Sequence, residues 1–171
     1  MWENVYIFHE SLRPIVSQYF FLLSLSLLLL RVAIGLILVY HGSQKLLGLF
    51  GGGGPRKTIE AFKGWLGTPP FLTVLLMITE FFGGLGIIFG LLTRLSAFAV
   101  CIAMLVATLV DTSGFREAKR KGESVDPTLK IGFPALVFLI ALTLLLVGPG
   151  RFSLDHFTLM HWFNWHWFLG P

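Results

Sequence analysis

The chain is poor in charge and in cysteine. Of its 171 residues, 13% are Asp, Glu, Lys or Arg, about half the share in a soluble domain. With 55% hydrophobic residues and a mean hydropathy of +0.79, that scarcity excludes an ordinary soluble domain. The lone cysteine, Cys101, excludes an intramolecular disulfide and a CxxC redox pair within this sequence, and inside an apolar run it reads as a small inert residue. The glycine tract Gly51 to Gly54 lacks the GKS or GKT ending of a phosphate-binding loop. No haem or flavin motif is evident, so no intrinsic cofactor is expected. No metal site is expected either, because His156, His161 and His166 are five apart, not four as in a zinc-binding helix. The first apolar run has no early basic segment and no A-x-A site after it, so no cleavable signal is expected.

What is present is four long apolar runs, giving predicted spans at about 19–48, 71–92, 94–111 and 131–148. Backbone facing lipid must be hydrogen-bonded within its own segment, so each run is predicted helical. The expected fold is an all-α integral membrane protein, a four-transmembrane-helix bundle over 1–155. The last two runs are short for roughly 30 Å of hydrocarbon. Gly51 to Gly67 begins as a flexible tract and continues as a short amphipathic helix. Asp111 to Lys130 reads as a polar, basic, water-exposed loop. Residues 156–171 form an aromatic tail in which Trp162, Trp165 and Trp167 suit the lipid headgroup region or a partner contact.

The net charge of +4 does not point to nucleic acid, because the basic residues cluster between apolar runs. Lys45, Arg56, Lys57 and Lys63 lie in one long connection, and Arg116, Lys119, Arg120, Lys121 and Lys130 in the other. Only Arg13, Arg94 and Arg151 fall on the opposite face. The positive-inside rule then places both long connections in the cytoplasm and both termini outside, in a bacterial-type inner membrane.

Ionisable groups inside the apolar runs are the candidate site. Glu80 stands alone in the second run, where an acid costs about 2.5–3.5 kcal/mol on insertion scales. If the membrane face lies near Tyr19, Arg31 and Glu80 are each roughly 18 Å from it and are predicted to form an ion pair. If the membrane begins at Arg31, Glu80 needs another partner. His41 and Lys45, one turn apart, together with Asp111, are candidate ligand or cavity residues. Gly35, Gly42, Gly83, Gly84, Gly86 and Gly90 are predicted helix-packing positions. Two readings of the polar seam stay open: it fixes helix register, or it lines a cavity for a small polar or quinone-like ligand.

The segments LLLLRVAIGLILVYHGSQKLLG, TEFFGGLGIIFGLLTRLSAFAV and GPGRFSLD together resemble the DoxX family of small four-helix membrane proteins, over about Leu27 to Asp155. The resemblance implies that Arg31, Gly42, Lys45, Glu80, Gly83, Gly84, Gly90, Arg94 and Gly150 are signature positions. Some members are associated with membrane oxidoreductase complexes, including a DoxD-type subunit linked to thiosulfate oxidation with quinone reduction. Others look like accessory proteins acting with thiol and oxidative-stress enzymes. The expectation is therefore an integral membrane subunit of an oxidoreductase or electron-transfer assembly, not catalytic alone, binding quinone or a small sulfur compound. Its partners would be the lipid bilayer and other membrane subunits. The alternative is a noncatalytic structural accessory subunit packed against a larger membrane complex.

Overall fold

The computed structural model describes residues 2–120 and 127–162. Among the described residues the regular elements are helices: α1 Trp2–Leu46, α2 Gly54–Leu66, α3 Pro70–Phe89, α4 Thr93–Arg120, α5 Pro127–Val147 and α6 Leu154–Trp162. α1 packs on α3, α3 on α4 and α4 on α5, with a smaller contact between α1 and α5. Leu38, Ile87, Val100, Val137 and Leu144 are among the residues of the shared core. Outward-facing Leu36, Phe71, Phe82, Leu95, Leu109 and Leu139 are exposed, a belt of apolar surface suited to lipid. Val16–Leu46 and Pro70–Phe89 are long and apolar enough to cross a membrane, whereas the apolar parts of α4 and α5, Thr93–Leu109 and Gly132–Val147, are shorter.

Local sequence explains the breaks. Pro70 opens α3, where its missing N–H would have had no helical partner. Gly90 closes α3 at φ 65°, a left-handed conformation that glycine adopts without a Cβ clash. The α3–α4 hairpin turns at Gly90 to Leu92, slightly earlier than the break expected between the spans ending at 92 and starting at 94. The helix expected after the glycine tract is α2. The first predicted span, about 19–48, lies within α1, whose apolar stretch long enough to cross a membrane is Val16–Leu46; the helix itself extends back to Trp2, with Pro14 inside it. One expectation is corrected. The stretch from Asp111 is not a loop: α4 continues to Arg120, carried by the good helix formers of FREAKR, and α5 starts at Pro127. Polarity marked where the apolar run ended, not where the helix did.

Glycines set how α1 meets α3. A Cβ on Gly42 would lie 2.6 Å from the Phe81 amide nitrogen, and one on Gly84 would lie 2.9 Å from the Leu38 Cβ. A Cβ on Gly35 would lie 2.8 Å from the Gly84 carbonyl oxygen. The two backbones therefore touch, which gains dispersion contacts that larger residues would prevent. By contrast, a Cβ on Gly132 of α5 would meet nothing within 4 Å. Gly42→Ala is expected to lose about 1–3 kcal/mol through overpacking, while Gly132→Ala should be neutral or slightly stabilising. Unfolding of both variants in the same detergent checks this, and equal stabilities would count against the register described here.

Candidate functional site

Lys45 lies in the last turn of α1, where the helix dipole favours a cation. Its ammonium donates to both oxygens of Glu80, at 2.6 and 2.7 Å. Glu80 is about halfway along the 20-residue α3, so roughly 15 Å of helix separates it from either end. The Glu80 side chain is 7% exposed, and that of Lys45 is 33% exposed. The acid is thus sealed and its partner is not. An ammonium has three N–H donors, and Glu80 takes two. One turn before Lys45, the His41 ring lies 5.2 Å from Phe133 and 5.5 Å from Tyr40, and Tyr40 lies 5.2 Å from Phe50 of the glycine-rich connection. Two turns before Glu80, and on the same buried stripe of α3, the Thr73 hydroxyl is buried with no hydrogen-bond partner among the described residues.

The expected Arg31–Glu80 pair does not form, and the glycines supply the reason. With Gly42 against Phe81 and Gly35 against Gly84, Arg31 comes level with Gly90, ten residues beyond Glu80. The hydropathy-based depth was off by roughly 15 Å. Arg31 is fully buried and its Nη2 donates to the Phe152 carbonyl oxygen. Its Nε and Nη1 have no partner among the described residues, and the charge of Asp155 lies close enough to act on it.

Asp155 is a residue that sequence reasoning missed. Its two carboxylate oxygens accept from the Leu92 and Thr93 amides at 2.6 and 2.7 Å, capping α4 from 62 residues away. Its own amide donates to the Gly90 carbonyl at 2.8 Å. Ser153 caps α6 by accepting from the His156 amide at 3.1 Å. The S-x-D pattern at the start of a helix was the available signal, but nothing local indicates that the aspartate serves a different helix.

The remaining predicted residues are distributed as follows. Asp111 lies in α4 with its side chain outside the described residues, as does that of Trp162 in α6; Trp165 and Trp167 also lie outside the described residues. Gly83 approaches Val100 of α4, and Gly86 is close to the Leu91 carbonyl. Cys101 is buried. An apolar groove of about 510 Å³ lies between α3 and α4, lined by Phe82, Phe89, Leu92 and Leu95 among others; Lys45, Glu80 and His41 do not line it.

The DoxX family profile matches residues 26–112. The inner membrane protein YqjF of Escherichia coli (strain K12) is 29% identical over 136 residues, covering 79% of this chain and 93% of that protein. A Bacillus subtilis (strain 168) protein named putative oxidoreductase CatD is 30% identical over 131 residues, covering 77% of this chain and 85% of its own. No solved structure matches the chain.

A double-mutant cycle separates the two charge sites. Lys45→Met strands a buried carboxylate and is expected to lose up to about 3 kcal/mol, the low end for breaking a buried pair because Lys45 is partly accessible. Glu80→Gln should lose less, since the lysine can turn outward. Lys45 and Glu80 should couple, whereas Arg31→Gln and Glu80→Gln should add within about 0.5 kcal/mol. Coupling between Arg31 and Glu80 would restore the rejected pair.

Proposed function

The chain belongs to the DoxX family, and from that premise we propose that it is an integral membrane subunit of a redox assembly in which the Lys45–Glu80 pair seats the polar head of a quinone. The observation that carries this reading is the asymmetry of the pair: a sealed carboxylate beside an ammonium that is one-third accessible. Ionisable groups at membrane depth are retained mostly where they act on something. α1, α3, α4 and α5 all cross the bilayer in this reading, with the α2 end cytoplasmic and the termini outside. The relative named for an oxidoreductase supports the redox assignment.

The surroundings fit such a group. The third N–H of Lys45 can donate to a carbonyl oxygen, while the rings of Tyr40, Phe50 and Phe133 offer flat apolar surfaces for a planar ligand. A quinone bound here would carry two electrons and two protons. The chain supplies orientation and a place to hold a proton at the Glu80 carboxylate or the His41 ring. A partner subunit supplies the electrons.

A second reading, a structural accessory subunit, is favoured by a different observation. Tyr19, Phe20, Phe21, Leu22 and Leu23 of α1 are all exposed. Phe21 meets Phe152 edge to face rather than stacked, and the apolar segment as a whole suits a contact with another membrane protein.

Native mass spectrometry of the tagged protein, gently extracted from its own membranes, tests both. The expected result is co-purified quinone or redox subunits, with quinone retention falling about tenfold in a folded Glu80→Gln variant. Equal retention by the variant, or a large assembly without quinone on this chain, would overturn the quinone reading and leave the accessory one.

A further inference from the structure

α2 carries a face that the bundle does not use. It packs against α1, α3 and α4, with Thr58, Ile59 and Phe62 half-buried on the inward side. Arg56, Lys57, Glu60 and Lys63 are exposed. At 3.6 residues per turn these four fall on one face about 120° wide. That face has three cations and one acid, and among the described residues none of the three cations is in an ion pair. Arg56 and Lys57 stand in the first turn of α2, which has no acidic residue. The helix dipole disfavours cations there, so they do not serve the stability of α2.

Position identifies what the face meets. α2 leads directly into Pro70, the first residue of α3. Phe71, Leu72 and Leu75, which begin the outward apolar surface of α3, are exposed. Cations therefore border a lipid-facing surface. The end of α4, with Arg116, Lys119 and Arg120 in its sequence, arrives at the same end of the bundle, because α3 and α4 form an antiparallel hairpin. A ligand that satisfies both surfaces has an anionic head and an apolar body. A nucleic acid or an acidic peptide would use the charge and ignore the belt.

We propose that the basic face of α2 binds the phosphate headgroups of anionic phospholipids, with the acyl chains lying against the start of α3. Arg56, Lys57 and Lys63 donate to phosphate oxygens, and Glu60 limits the net charge of the face. The proposal is independent of what the Lys45–Glu80 pair binds.

The test uses the full-length protein, delipidated in neutral detergent and mixed with equimolar phosphatidylglycerol and phosphatidylcholine at 50 mM NaCl. Bound lipid is counted by native mass spectrometry. Each cation near an anionic lipid surface contributes about fivefold in affinity. The wild type should prefer phosphatidylglycerol by about tenfold or more, and the preference should shrink in 500 mM NaCl. The triple variant R56Q/K57Q/K63Q should fall to about parity, and Glu60→Gln, which leaves all three cations in place, should raise the preference. Parity in the wild type, or an unchanged preference in the triple variant, overturns the proposal. Displacement of phosphatidylglycerol by an equal concentration of inorganic phosphate overturns it in favour of a free-anion site.

Discussion

Backbone contact between α1 and α3 is the constraint on which the other features depend. Gly35, Gly42 and Gly84 let the two helices approach until main chain meets main chain, and such a contact tolerates only one register. Sliding α3 by one turn would bring Cβ-bearing residues into the places the glycines leave open. Once the register is set, Lys45 reaches Glu80 and Arg31 reaches the α3–α4 turn. Neither charged group chooses its partner independently; the glycines place each one.

The two buried charges consequently have separate environments and separate kinds of compensation. Arg31 is closed in on every side and is answered by a carbonyl oxygen and the nearby charge of Asp155. Asp155 in turn ties down the amides that open α4. One chain of contacts thus joins α1, the hairpin and the segment after α5, which accounts for a buried guanidinium at the end of the bundle. It also explains why Gly90 has no side chain, since a Cβ there would collide with the Arg31 guanidinium and with Ser153. Leu92, a non-glycine residue at φ 47°, is a strained conformation, and the bond from its amide to Asp155 helps to hold it.

Much of this was legible in the sequence, and the parts that were not share a cause. Composition and apolar runs identified a helical membrane protein, and the glycines at 35, 42 and 84 were recognisable as packing positions. The depth of Arg31 was not legible, because hydropathy continues without a break from Tyr19 to Tyr40 and carries no mark of where the neighbouring helix ends. Taking Tyr19 as the boundary matched Arg31 with Glu80; the glycines, aligned with each other instead, would have matched Lys45. The capping role of Asp155 could not be read locally, because the amides it serves belong to residues far away in sequence. The polar stretch after Asp111 reads as a loop for the opposite reason: hydrophobicity ends there while the helix continues to Arg120.

The Lys45–Glu80 pair differs from the Arg31 site in a way that bears on function. α1 stops at Leu46, only halfway along α3, and the chain continues through glycine-rich backbone with positive φ at Gly48, Phe50, Gly51 and Gly54. In the proposed reading this helix end and irregular backbone lie at membrane depth, where such backbone needs polar partners or water and is tolerated where it lines a site. Here the helix end brings its negative dipole terminus to Lys45, which also neutralises Glu80, so one ammonium answers two negative charges. If fixing register were its whole task, a sealed pair at the same crossing would suffice, and the glycines already fix that crossing. The accessible lysine, the Thr73 hydroxyl without a partner among the described residues and the rings around His41 are polar and aromatic groups that the glycine-set packing of α1 on α3 does not itself require.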